Sequence, residues 1–448
     1  MLTTQEAAAR AHDLVQRARK VGADACDAAY IASASQGVSV RLGKLEDLER
    51  SEAEQISLRV FVGKRTASIG SSDMSDAALA ELAERAIAMA RAAPQDEFSG
   101  LAPEEQLASG EFASLDLIDG GETDPEVLRR TAEEAEDAAR AVAGVNNSEG
   151  GSAHAGHNTF ALATSTGFAA AYAGTSHSLS AVVLAGEAGH RQRDYAWRQA
   201  RHAADLPSPQ EIGQMAGERA VAKVDPARVK GGQMPLVFSP RVAGTFVGHL
   251  TGAMSGAAIA RGASFLLGKE DEELFAPDLR IVEEPHRPRG LRSRPFDGEG
   301  LPTHARDLVA NGKVTGWLMN VAAAAKLGLP LTGHASRSGN GSPGVSTSNV
   351  HLAAGNVSPA DLMADIESGI YVTELIGHGV NGVTGDYSRG AVGFRIENGT
   401  ITKPVAEFTV AGNLLEMFKR MTPADDLEWF RVTNVPTLRI DGMTVAGD

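Results

Sequence analysis

Gly377-His378-Gly379-Val380-Asn381-Gly382 has the G-x-G-x-x-G spacing that lets backbone amides cradle a pyrophosphate, and it follows a strand-like run, Ile370–Ile376. A dinucleotide turn of this kind has to open a helix whose N-terminal amides face the phosphates. Here Val383-Thr384-Gly385-Asp386-Tyr387-Ser388-Arg389-Gly390 brings more glycines and turn formers instead, so the pattern predicts a β-hairpin. A nicotinamide- or flavin-dependent oxidoreductase would rest on these glycines alone. In the same stretch, Asp386-Tyr387-Ser388-Arg389-Gly390 resembles a G-x-S-x-G nucleophile elbow with its first glycine replaced. Without a helix for the elbow to enter, Asp386 and Ser388 read as turn residues that bond nearby amides.

Twelve histidines invite a search for metal ligands, but none is followed by Glu, which removes H-E-x-x-H. His154-Ala-Gly-His157 would place two imidazoles on one face of a helix; its setting, Asn146–Gly156, is rich in Gly, Ser and Asn and reads as a solvated or substrate-facing loop. Glu187-Ala-Gly-His190 has the E-x-x-H spacing of di-iron bundles, which need two copies and further carboxylates on long helices. It stands alone. Cys26, in Asp24-Ala-Cys-Asp-Ala-Ala-Tyr30, reads as a small buried apolar residue rather than a nucleophile. With no Walker A loop either, the residues by themselves display no recognisable catalytic engine.

The elements that must position these residues follow from periodicity. Residues 4–21 predict an amphipathic helix with Ala7, Ala11, Leu14, Val15 and Ala18 on one stripe. Strands are expected at Ala25–Ala32, Gly37–Arg41, Gln55–Val62 and Thr66–Gly70, and a helix at Asp76–Ala93 that Pro94 stops. After a polar connection, Gln95–Glu122, the order repeats: helix Asp124–Val142, strands Thr159–Ala163, Ala169–Tyr172 and Leu179–Ala185, helix Pro209–Lys223. This is the pattern of an internal duplication. Asp225-Pro226 and Gly231-Gly232 mark a boundary. Beyond strand Met234–Phe238, Ser239-Pro240 offers a capping hydroxyl and a first-turn proline for a helix over Pro240–Ser255. Asn311-Gly312, Asn398-Gly399 and Asp441-Gly442, each between apolar runs, predict three hairpins. The chain is therefore read as α+β, with helix-flanked sheets in residues 1–94 and 124–230, a linker at 95–123, and a mostly antiparallel β-sheet domain over 231–448.

Length and charge narrow the partners. At 448 residues there is ample chain for more than one core, and 42 Lys+Arg against 57 Asp+Glu give −15, spread along the sequence. That balance argues against nucleic acid or an anionic membrane as partner; the basic run His286–Arg294 is short, broken by proline and lacks aromatics for stacking. A single cysteine precludes an internal disulfide and fits a reducing compartment. No signal peptide and no membrane-spanning run of roughly 18 apolar residues is visible, so a cytoplasmic protein is expected.

Several segments together carry a resemblance. Thr373-Glu-Leu-Ile-Gly-His-Gly-Val-Asn-Gly-Val-Thr-Gly-Asp-Tyr-Ser-Arg-Gly-Ala-Val-Gly-Phe394, then Ile396–Val405 and Thr409–Leu414, closely resembles the PmbA, or TldE, branch of the TldD/PmbA proteins. Gly248–Ala253, Ser264–Gly268, Pro295–Gly300, Lys326–Leu329 and Thr332–Ala335 occur in the family's order, as do Val40–Glu46 and Ser71–Ser75 near the N-terminus. The match covers nearly the whole chain, with specific motifs in the third region and diffuse ones in the second.

The resemblance implies a bacterial cytoplasmic two-subunit peptidase in which the TldD subunit carries zinc through H-E-x-x-x-H and a later cysteine. The family is associated with trimming modified peptide precursors and degrading small unfolded proteins; an older name, modulator of DNA gyrase, refers to a peptide that targets gyrase. In this chain the zinc positions would fall near Val247, Gly248 and Gly252 with His249 out of register, and Glu428–Val435 contains no cysteine. The expected reading is a zinc-free subunit with no metal or cofactor of its own, partnered by a TldD-type zinc subunit and a peptide substrate. Gly377, His378, Gly379, Asp386, Ser388 and Arg389 are then expected at the subunit junction near the substrate, with Arg389 meeting a peptide carboxylate and His249 and His334 lining the cavity. In the alternative the glycines serve tight turns and Arg389 pairs with Asp386. A competing function is a non-catalytic peptide-binding or scaffold protein that forms a homodimer.

Overall fold

The computed structural model describes residues 1–121, 123–187, 190–339 and 341–447. Helix α1 (Thr4–Lys20) opens with a capping box, in which Thr3 and Glu6 satisfy each other's backbone amides, and it buries the expected stripe of Ala7, Ala11, Leu14, Val15 and Ala18. It is followed by β1 (Ala25–Arg41), β2 (Lys44–Val62), β3 (Arg65–Ser71), α2 (Asp76–Ala92), α3 (Pro125–Ala141), β4 (Val145–Thr164), β5 (Ala169–Ala185), β6 (Gln192–Ala200) and α4 (Pro209–Ala222). All six strands form one antiparallel sheet, β3-β2-β1-β4-β5-β6, symmetric about the β1–β4 pair. One face carries α1 and α2 over Ala28, Tyr30, Ile56 and Leu58, and α3 and α4 over Val38, Leu179, Ala181 and Val183.

Two expectations need correction here. The segment Asn146–Gly156 is not a loop but the first half of β4, and residues 25–41 form one strand rather than two. β4 is paired on both sides, by β1 and β5, so its backbone is satisfied whatever its side chains. Its small residues let α3 lie close: a Cβ on Gly151 would stand 2.2 Å from the Ala132 carbonyl oxygen. On a strand, His154 and His157 point to opposite faces and share no ligand. Glu187 and His190 bracket the β5–β6 connection, with His190 N–H donating to Glu187 O at 3.0 Å, while Ala188 and Gly189 between them lie outside the described residues.

The C-terminal region runs β7 (Gly232–Phe238), α5 (Pro240–Ala253), α6 (Gly256–Ala260), β8 (Ile281–Glu283), β9 (Arg306–Ala310), β10 (Lys313–Val314), α7 (Val321–Leu327), β11 (Ala335–Ser336), β12 (Gly344–Val345), β13 (Val350–Leu352), α8 (Pro359–Met363), β14 (Ser368–Ile376), β15 (Asp386–Glu397), β16 (Thr400–Asn413), α9 (Leu414–Lys419), β17 (Met421–Pro423), β18 (Thr433–Asn434) and β19 (Leu438–Ala446). Its main sheet, β16-β15-β14-β7-β19-β17, closes on itself through a β16–β19 pairing. Pairing is antiparallel apart from β14 with β7 and, in a smaller sheet, β13 with β18. The fold is α+β. None of the described helices is long and apolar enough to cross a membrane.

Asn311-Gly312 (φ 51° and 76°) and Asn398-Gly399 (φ 49° and 76°) turn hairpins β9–β10 and β15–β16 in the left-handed conformation those residues tolerate. Asp441-Gly442 does not. It makes a bulge inside β19, because the segments on either side of it both continue along β7. Ser239 also departs from expectation: its carbonyl, not its hydroxyl, receives the Val242 and Ala243 amides, and the buried Oγ has no hydrogen-bond partner among the described residues.

The outer face of the N-terminal sheet meets the C-terminal region at Phe296, ringed by Phe160, Phe168 and Tyr172, and at a buried ion cluster. Asp27 on β1 receives Arg59 from β2 and, at 2.6 Å, Arg337 from the C-terminal region. Arg59 reaches on to Glu299 at 3.3 Å. Burial opposes ionisation of Asp27, yet Arg337 and Arg59 hold its carboxyl below the usual range. Asp297 and Glu299 go the other way, raised by burial.

Candidate functional site

Helix α5 starts at Pro240, whose missing N–H and fixed φ suit a first helical turn. Its buried face, Val242, Ala243, Phe246, Val247, Leu250 and Ala253, packs into the main core and leaves His249 half-buried at the edge of that face. Beside it runs β15, which carries Tyr387, only 2% exposed, and Arg389 on one face. Phe246 and Tyr387 rings lie 5.6 Å apart, and His249 meets Tyr387 edge-on at 6.1 Å.

The polar atoms of this cluster are largely unanswered. Among the described residues, His249 Nε2, Tyr387 Oη and Arg389 Nε are each buried with no well-formed hydrogen bond, while Arg389 Nη2 donates to the Leu375 carbonyl at 3.1 Å. Burial lowers the His249 pKa, and the neighbouring Arg389 charge lowers it further. Burial pushes the Tyr387 phenol up to about 12, against the opposing pull of Arg389. At neutral pH the cluster therefore presents a neutral imidazole, a neutral phenol and a guanidinium. It can accept a carbonyl or carboxylate oxygen.

The glycine-rich segment is the β14–β15 connection, and no helix follows it. Asn381 organises it: its side-chain oxygen accepts the Val383 amide at 2.9 Å, and its own N–H donates to Asp386 O at 2.8 Å. Gly377 and Gly385 have φ of 82° and 81°, where a side chain would be strained. Gly379 is needed for closeness: its N-terminal neighbour His378 is exposed, but a Cβ on Gly379 would stand 1.9 Å from Ser388 O. The Ser388 amide bonds back to Gly379 O at 2.7 Å. These two glycine roles are met inside the chain.

Asp386 and Arg389 do not pair. Three positions apart on a strand, they face opposite sides; Asp386 instead accepts from Thr384 Oγ1 at 2.7 Å and Asn413 Nδ2 at 3.1 Å. Those bonds, Thr384 first, lower its pKa. The structure thus brings together His249 and Arg389, places Gly377, His378, Gly379, Asp386 and Ser388 on the adjoining loop and the opposite strand face, and sets His334 elsewhere. His334 is 3% exposed, with Nδ1 on Thr332 at 2.8 Å and Nε2 on Glu283 at 2.7 Å. Burial opposes ionisation of Glu283, but His334 holds its carboxyl below the usual range. Tyr387 is the member of the cluster that sequence reasoning missed. Its position two residues before Arg389, on the same strand face, is the signal that marks it.

Zinc can be tested against this donor set. A hydrolytic zinc site takes three protein ligands and leaves one position open. Helix α5 carries one imidazole and no carboxylate or thiol, and the groups nearest His249 are a protonated phenol and a cation. Among the described residues no group of three or more His, Cys, Asp or Glu is placed to hold a metal ion. The residues at α5 do not fit zinc.

Comparison with known proteins agrees along the whole length. Residues 26–90, 118–224 and 231–447 match the models of the first, central and C-terminal PmbA/TldA metallopeptidase domains, respectively. The chain is 34% identical to Metalloprotease PmbA of Escherichia coli O157:H7 over 97% of this chain and 96% of that protein. It is 32% identical to the Metalloprotease PmbA homolog of Haemophilus influenzae over 97% and 94%. A Bacteroides thetaiotaomicron crystal structure superposes with a TM-score of 0.92 at 26% identity, covering all of both chains. TldE from Thermococcus kodakarensis shares the fold, with a TM-score of 0.86 at 20% identity over 97% of this chain and 99% of that one. The chain belongs to the PmbA/TldD metallopeptidase family.

Proposed function

We propose that this chain is the zinc-free, TldE-like subunit of a two-subunit cytoplasmic metalloprotease. A TldD-type partner supplies the zinc, and the complex acts in peptide maturation and on small unfolded proteins. The observation that carries this reading is the composition of the α5 site, where His249 stands with Tyr387 and Arg389 instead of with metal ligands. Such a subunit contributes by holding substrate. Segment Thr373–Ile376 of β14 runs on beyond its pairing with β7, and in this reading an extended peptide adds along that stretch. Arg389 and Tyr387 would then receive a substrate oxygen at the inner end of that stretch.

The test is metal analysis and peptide degradation on the chain alone and mixed with a TldD-type partner, with size-exclusion chromatography of both samples. A one-to-one complex that gains proteolysis supports the proposal. Stoichiometric zinc with peptidase activity in the chain alone would sink it. A homodimer that binds peptides and gains no proteolysis from the partner would instead establish the non-catalytic binding function.

A further inference from the structure

A cavity of about 490 Å3 lies between the edge strand β6, helix α4 and the start of α5. It is a size that suits a small organic ligand. A second hollow of about 410 Å3 adjoins it through the shared residues Arg198, Glu428, Phe430 and Arg431. Neither is lined by His249, Tyr387 or Arg389, although Thr373 of β14 lines the larger.

Its cations outnumber the carboxylates free to answer them. Asp194, 1% exposed, is already committed to Lys223 at 2.7 Å and Arg241 at 2.6 Å. Asp426 accepts the amide and hydroxyl of Thr437 at 2.8 and 2.7 Å, and exposed Glu218 accepts from Gln214 at 2.7 Å. Glu428, whose side chain is 63% exposed, pairs among the described residues with Arg198 alone, at 3.5 Å. Among the described residues Arg219 donates only to the Tyr195 carbonyl, at 3.2 Å, with Asp194 near enough to act on it through its charge. The Arg431 guanidinium has no ion pair or hydrogen bond among the described residues; its Nε is buried and unpartnered, and it lies 5.1 Å from the Phe430 ring. Burial, then mutual repulsion with Arg241 and Arg198, lowers the Arg431 pKa; the same causes act on Arg219. Desolvated guanidiniums without counter-charge are unfavourable unless an anion is meant to meet them.

Two further features point into the same space. Ser239, 7% exposed, lines the cavity with a hydroxyl that has no hydrogen-bond partner among the described residues. It sits at the N-terminal end of α5, where the helix adds positive potential. Tyr195, Trp197 and Phe430 supply apolar wall for the remainder of a ligand.

We propose that this cavity binds the oxyanion of a small ligand, a carboxylate or a phosphate, through Arg431, Arg219 and Arg198, with Ser239 as an additional donor. Arg431 is the central contact, because among the described residues its guanidinium makes no ion pair or hydrogen bond and has only the Phe430 ring beside it. The site is independent of the zinc-free subunit reading and is tested without a partner.

The experiment is calorimetric titration of the full chain at constant ionic strength, with chloride as the balancing salt. Three probes are compared: inorganic phosphate, a short aromatic peptide with a free C-terminal carboxylate, and the same peptide as its amide. Saturable binding of phosphate alone identifies a free phosphorylated ligand as the source. Binding of the free acid but not the amide identifies a peptide terminus. Arg431→Met is expected to weaken whichever binds by roughly tenfold or more, and to leave the melting temperature of the unliganded chain unchanged or higher. Should that variant not fold, Ser239→Ala is expected to weaken binding in the same direction. No saturation by any probe up to about 10 mM, or equal affinity in wild type and both variants, overturns the proposal.

Discussion

His249 on α5 and Tyr387 on β15 meet edge to face at 6.1 Å, and Arg389, on the same strand face as Tyr387, imposes its charge on both. The three side chains come from two segments far apart in sequence, α5 and β15, and each has a buried polar atom with no hydrogen-bond partner among the described residues. In a folded chain such atoms are costly to bury and are ordinarily satisfied. Their concentration at one helix–strand contact is the reason the proposed function seats substrate there.

Because the Tyr387 hydroxyl makes no well-formed hydrogen bond among the described residues and has only Arg389 beside it, Tyr387→Phe is expected to change stability by no more than about 0.5 kcal/mol in either direction. Arg389→Ala is expected to keep the fold and lower proteolysis by the assembled complex roughly tenfold. Urea denaturation and turnover of a fluorogenic peptide check the pair. Unchanged turnover in Arg389→Ala would remove that residue from the site.

Asp27 ties β1 to the C-terminal region, and Asp27→Asn leaves Arg59 and Arg337 buried without it. The expected loss is about 3–5 kcal/mol in urea unfolding. The sign of the pH dependence follows from the depressed pKa. A carboxyl lowered by folding contributes stability that is present above its unfolded pKa of about 3.9 and disappears as pH falls through the folded value. Asp297 and Glu299, raised by burial, add stability in the opposite sense as pH falls through their folded pKa values. Comparing wild type with Asp27→Asn isolates the first effect: the decline in urea midpoint on acidification below about pH 4 should be shallower in the variant.

Cys26 is fully buried, its thiol pushed up to about 12 by burial and then by the adjacent Asp27. Since the thiolate is the reactive form, the native chain should resist iodoacetamide at pH 8 and label only on unfolding. Mass spectrometry with and without denaturant reads this directly.

Two glycines of the same loop should respond differently to alanine. At Gly379 the added Cβ meets the Ser388 carbonyl at 1.9 Å, so Gly379→Ala must displace the loop from β15, with an expected loss of about 1–3 kcal/mol. At Gly382 a Cβ meets nothing within 4 Å, and the change should stay within about 0.5 kcal/mol. Thermal unfolding of the two variants side by side is the check. Equal losses would mean that close approach is not what Gly379 provides.

Features that depend on near neighbours along the chain could be read from the residues alone. The buried stripe of α1, the proline start of α5 and the Asn-Gly turns at 311–312 and 398–399 are local, governed by helical spacing and by residues that tolerate positive φ. The family was also legible, because its motifs are contiguous strings. That Asn146–Gly156 is a strand depends instead on the packing of distant segments, since β1 and β5 on either side make it one. The same packing decides that Asp441-Gly442 bulges against β7 instead of turning back, and that His334 is taken by Glu283. The pairing of His249 with Tyr387, and the separation of Asp386 from Arg389 across β15, belong to the same class. These outcomes depend on partners distant in sequence, and local pattern carries no information about which partner arrives.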